Sequence, residues 1–91
     1  MADVIITLKV MPESPDINLA TIEEQIKKKI SAYGAKVHKT EQVPIAYGLK
    51  SLNIILIMSE DKGDTEPLEK DIASLDGVNS AEVIGVTRAM G

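Results

Sequence analysis

The chain has no cysteine, tryptophan or phenylalanine, and its 91 residues include only two tyrosines and one histidine. Absent cysteine excludes disulfides, thiolate metal sites and a cysteine nucleophile. The scarcity of aromatics removes the stacking platforms that nucleic-acid-binding sheets need. Basic residues are also in deficit, ten against fourteen acidic, for a net charge of −4, so the electrostatic case for a nucleic-acid partner is weak. No long apolar run exists. Ile54–Met58 is far too short to span a bilayer, and no basic stretch followed by an apolar one opens the chain. The sequence reads as cytosolic and without a membrane partner. Residues 1–91 fit one domain, which at this length buries somewhat more than about 60% of its unfolded surface.

Periodicity supplies the architecture. From Val4 to Val10 the even positions are apolar and the odd ones mixed, the pattern of a strand with one buried face. Met11–Asp16 then breaks it, because Pro12 and Pro15 each lack a ladder donor and have a fixed φ. Asp16 or Asn18 can then cap a helix. Leu19, Ile22, Ile26 and Ile30 form its apolar stripe. Glu23–Lys27 and Glu24–Lys28 are favourable i,i+4 pairs, and Gly34 is the expected stop. A polar strand is expected within Ala35–Val43, suited to a sheet edge where Lys36 and Lys39 discourage strand addition.

Pro44–Gly48 turns the chain into a third strand, Leu49–Ser59, with Leu52, Ile54, Leu56 and Met58 on one face. After the turn Asp61–Asp64, either Asp64 or Thr65 can cap a second helix with Pro67 in its first turn. Leu68, Ile72 and Leu75 form that helix's stripe and Gly77 is expected to end it. Val78–Met90 carries the last strand, expected around Ala81–Thr87. The order βαββαβ predicts a ferredoxin-like two-layer α+β sandwich, with two helices on one face of a four-stranded antiparallel sheet and the first and third strands central. Ile5, Ile55 and Ile57 would then lie on the uncovered face. They are either ordinary surface apolarity or a surface for a partner or a second copy.

Few residues offer chemistry. His38 has no second ligand at helical or strand spacing and reads as a surface side chain. Glu60, Asp61, Asp64 and Glu66 miss the spacing of a calcium loop, and a solvated turn with a helix cap accounts for them. Lys27–Lys29 read as a solvent face near a helix end. The serines lack a nucleophile-elbow context, and the single glycines cradle no phosphate. The residues thus predict no catalytic site, no cofactor and no metal. Tyr47, between Ala46 and Gly48 in a Pro-led turn, can cover the sheet edge or act as an interface anchor. Arg88 is either an idle terminal cation or a contact.

The run VPIAYGLKSLNIILIMSEDKGDTEPLEKDI, Val43 to Ile72, closely resembles the centre of the nucleotide-exchange domain of the translation elongation factor 1-beta family. That centre has a proline, a Tyr-Gly or Phe-Gly pair, a long strand and an Asp-Lys turn before a helix. The resemblance extends over nearly the whole chain, and the short archaeal form fits its length best. It implies a guanine nucleotide exchange factor, not an enzyme making covalent bonds, whose partner is GDP-bound elongation factor 1-alpha. It also implies partner-binding roles for Pro44, Tyr47, Gly48 and Arg88. The aromatic of the turn lies at the partner contact in the family. The basic residue ending the last strand, a lysine in the eukaryotic factors, reaches the partner's magnesium and phosphate site. Here that position is arginine, followed by a longer tail.

Two other classes share the element order. A ligand-sensing ACT-like regulatory domain would bind a free amino acid, and an RRM would require aromatics on its first and third strands, which hold none. A small protein-interaction module using the open sheet face is the fallback. The sequence does not set the oligomeric state, a monomer included.

Overall fold

The computed structural model describes residues 3–46, 48–60 and 65–88. The elements are β1 (Asp3–Pro12), α1 (Leu19–Tyr33), β2 (Lys36–Pro44), β3 (Lys50–Ser59), α2 (Glu66–Ala73) and β4 (Val78–Arg88). The sheet order is β2-β3-β1-β4, with every neighbouring pair antiparallel. This is the expected ferredoxin-like topology, with the two most apolar strands in the middle and the polar β2 at an edge.

The core lies between the sheet and the helices. Ile6, Leu8 and Val10 of β1 and Leu52, Ile54, Leu56 and Met58 of β3 are buried, alternating with half-exposed neighbours as a period-two pattern requires. From α1, Leu19, Ile22, Ile26 and Ile30 fill the space above them. Ile26 and Ile30 lose all exposure, and full burial of such a side chain stabilises by about 1.5–3 kcal/mol. The helix begins where Asn18 accepts a hydrogen bond from the Ala20 N–H at 3.0 Å. It ends at Gly34, whose φ of 100° is the left-handed conformation that a β-carbon disfavours. Tyr33 packs against the edge of the core. Glu23 and Lys27 close their i,i+4 pair at 3.3 Å.

Four expectations are corrected. The second helix ends at Ala73, not at Gly77, and Ser74 is its cap residue. Only Leu68 and Ile72 of its stripe are buried within the helix; Leu75 packs against the core from the following turn. Gly77 serves that turn instead, at φ 89°. Its N–H donates to the Glu13 carboxylate at 3.1 Å and its carbonyl accepts from the Glu13 N–H at 2.9 Å. Pro44, expected to open the turn, is still paired with Lys50 as the last residue of β2. Thr65 is the N-cap residue of α2 but makes no side-chain cap hydrogen bond, and Asp64 lies outside the described residues.

The two edge strands are both irregular. A register shift in β2 leaves His38 as an extra, exposed residue between Val37 and Lys39, and one in β4 does the same to Ile84 between Val83 and Gly85. Such bulges twist an edge away from further pairing. On the face away from the helices, Ile5, Ile55 and Ile57 are half-buried beside Thr87, Lys39 and Lys36 respectively, their partners across the edge strands.

Candidate functional site at the two ends of the sheet

The β2–β3 hairpin forms one end of the molecule. The Ile45 N–H donates to the Leu49 carbonyl and the Leu49 N–H to the Ala46 carbonyl, both at 2.9 Å. These bonds close a short turn in which Gly48 has φ 80°, a conformation that suits glycine. Val43, Pro44, Ile45 and Gly48 are all exposed, with Ile45 47% exposed. Such apolar exposure on a fixed turn suits contact with another protein. Gly48 also faces the loop after β1, where a β-carbon added to it would lie 3.9 Å from the Pro15 side chain. Between them runs a groove of about 350 Å³ lined by Pro12, Pro15, Ile17, Gln42, Gly48 and Lys50. Tyr47, the aromatic expected to anchor this turn, lies outside the described residues.

Arg88 stands at the opposite end. It pairs with Val4 of β1, which pairs in turn with Met58 of β3. Its guanidinium donates from Nε at 3.1 Å and from Nη2 at 2.7 Å, both to Oε2 of Glu60. The hairpin pairing Pro44–Lys50 and the Met58 register are eight residues apart along β3. At about 3.4 Å per residue that is about 27 Å, within a molecule 42 Å long. The structure therefore brings Pro44 and Gly48 together and keeps Arg88 well away from both.

The remaining polar groups form no centre of their own. Among the described residues no group of three or more His, Asp or Glu side chains is placed to hold a metal ion. Of the acidic residues around the β3–α2 connection, Glu66 pairs with Lys70 at 3.4 Å and Glu60 with Arg88, while Asp61 and Asp64 lie outside the described residues. At the edge of the sheet, Lys39 meets Glu41 at 2.8 Å. Lys39 donates a hydrogen bond to the Glu41 carboxylate, and that bond together with the carboxylate's charge raises the Lys39 pKa above the ordinary lysine value. No helix among the described residues is long and apolar enough to cross a membrane.

Glu60 is the residue that sequence reasoning missed as a contributor. In the sequence it belongs to a solvated turn, and nothing local marks a partner 28 positions away. The available signal was topological: β3 and β4 flank β1, so the end of one and the end of the other face the same strand terminus.

Residues 5–89 match the family model described as the EF-1 guanine nucleotide exchange domain. The chain is 40% identical over 90 residues to elongation factor 1-beta of Methanothermobacter thermautotrophicus, covering 99% of this chain and 100% of the relative. It is 47% identical over 89 residues to elongation factor 1-beta of Sulfurisphaera tokodaii, covering 97% of each. Among solved structures it is similar to the ACT domain from the GTP pyrophosphokinase of Chlorobium tepidum. That match has a TM-score of 0.62 at 19% identity and covers 90% of this chain and 99% of the other. A de novo designed protein, Foldit4, superposes with a TM-score of 0.65 at 14% identity, covering 98% of each. At such identities the likeness to both structures is one of fold alone.

Proposed function

Because the chain belongs to the EF-1 guanine nucleotide exchange domain family, we propose that it drives GDP release from elongation factor 1-alpha through contacts at both ends of its sheet. The family match across residues 5–89 carries the functional assignment. The chain, residues 1–91 as one exchange domain, acts in the elongation step of translation, and its compartment is the cytoplasm where that step runs. It binds the GDP-loaded G protein, disturbs its magnesium and phosphate contacts, and leaves when GTP enters. No covalent bond is made or broken, no cofactor or metal of its own takes part, and no direct nucleic-acid contact is required.

The energetics of such a factor are those of linkage. Its own binding must compete with GDP binding, so GDP weakens the factor's affinity by the same ratio as the factor weakens GDP's. A thousandfold faster release requires the barrier to fall by about 4 kcal/mol. A few anchors can supply that difference.

Two anchor regions support this reading. Pro44 ends β2 and Gly48 lies in the turn that follows; by the family resemblance, Tyr47 docks on the partner's G-protein domain. Arg88, about 27 Å away along the sheet, is by the same resemblance the cation that meets the partner's magnesium and phosphate contacts. Arginine is not equivalent to the lysine of the eukaryotic factors, since its planar fork engages phosphate oxygens bidentately where an ammonium is a compact point charge. We therefore assign Arg88 to phosphate oxygens rather than to the position of the metal itself. The test is thermodynamic. The affinity of this protein for elongation factor 1-alpha, measured by calorimetry with and without saturating GDP, should drop by the same factor as the affinity for GDP drops in its presence. Equal affinity for both forms of the G protein contradicts exchange by this route.

A further inference from the structure

Building on the role assigned to Arg88, we propose that Glu60 is its positioning residue, holding the guanidinium ready for the partner. The ion pair crosses the sheet. Arg88 ends β4, Glu60 directly follows β3, and β1 runs between them. Two strand spacings of about 4.8 Å separate the backbones, so the arginine must extend over the register position of Val4 to reach its partner. A long, flexible side chain is thereby confined to one direction.

Among the described residues, the geometry also leaves part of the arginine's donor surface unengaged by Glu60. Nε and Nη2 both donate to the same oxygen, Oε2 of Glu60. The carboxylate thus occupies one flank of the planar guanidinium with two of its five N–H donors. Among the described residues the other three take part in neither bond, and they include both on Nη1. These are the donors a phosphate group engages. Glu60 therefore orients the cation without using up its capacity to bind an anion.

Stability is a poor reason for the pair. Both side chains are substantially exposed, 67% for Arg88 and 36% for Glu60, and exposed pairs contribute little to folding. What the contact does achieve is to restrict the conformations from which Arg88 meets its target, and that effect appears in the exchange rate.

The test measures release of fluorescent GDP from elongation factor 1-alpha against concentration of the full chain, for the native sequence, Glu60→Gln, Arg88→Ala and the double variant. Glu60→Gln is expected to lower the maximal rate by about two- to fivefold, the range an exposed ion pair can supply. The half-saturating concentration should move less than about twofold and the thermal midpoint less than about 2 °C. In the Arg88→Ala background, Glu60→Gln should change nothing further, because Glu60 acts through Arg88. An equal loss in both backgrounds overturns the proposal, as does an unchanged or faster rate for Glu60→Gln where Arg88→Ala is slow. Acceleration by the native chain that Arg88→Ala leaves intact refutes Arg88 and Glu60 together while sparing exchange activity. No acceleration by the native chain refutes the exchange reading itself.

Discussion

Combining Tyr47→Ala with Arg88→Ala should multiply their separate effects on exchange. The hairpin pairing Pro44–Lys50 and the register of Arg88 lie at opposite ends of β3, about 27 Å apart. Substitutions more than 7–10 Å apart with no shared partner add in free energy to within about 0.3–0.5 kcal/mol, or about twofold in rate. Truncating an interface anchor typically costs between about 1 and 2 kcal/mol, hence about five- to thirtyfold for each change. The double variant is therefore expected to lose about 25- to 900-fold in second-order exchange efficiency. The assay is stopped-flow release of fluorescent GDP under excess GTP, read as the slope of rate against factor concentration so that weak variants remain measurable. A double variant no slower than its slower parent would refute the reasoning. That outcome would mean that the two ends work as one coupled unit, which the distance between them excludes by direct contact.

Two further outcomes test the scaffold. Ile26→Ala removes a fully buried side chain from the middle of α1 and should cost about 2–5 kcal/mol. For a domain of this size the thermal midpoint should fall by at least about 10 °C, as calorimetry will read; a fall under about 3 °C would mean the helix–sheet core closes around the gap. The Lys39 pKa is raised above the ordinary lysine value because its ammonium donates a hydrogen bond to Glu41 and lies beside that carboxylate's charge. With the folded pKa raised, that pair's small stabilisation is fully present below the unfolded value and fades as pH climbs through the folded one. Glu41→Gln should bring the Lys39 titration, followed by NMR of its side chain, down toward the ordinary lysine value.

The central strands and α1 were legible because each buries a single face, so the sequence repeats with the period of its backbone. The alternation of β1 and β3 and the Leu19-Ile22-Ile26-Ile30 stripe hold as expected. The polar β2 was legible only as an edge, since its one-sided contacts with β3 leave no apolar period to read. The end of α2 was misplaced because a glycine is an equally good signal for a helix stop and for a later turn. What decides between them is the bond between Gly77 and Glu13, 64 positions apart. The bulge at Ile84 was hidden for a related reason, as register is set by β1 and not by β4's own residues. At the candidate site, the hairpin turn was readable from Gly48 and from the family resemblance, whereas Pro44 closes β2 instead of opening the turn. The Arg88–Glu60 pair was not, because it joins two strand ends through the strand between them.

The most direct test of the account is GDP release from elongation factor 1-alpha with this protein present at a small fraction of the G protein's concentration. Release of all the bound nucleotide at an accelerated rate, with each factor molecule acting many times, is the predicted result. Release limited to one nucleotide per factor molecule, or unchanged from the spontaneous rate across micromolar concentrations, would contradict a catalytic exchange factor.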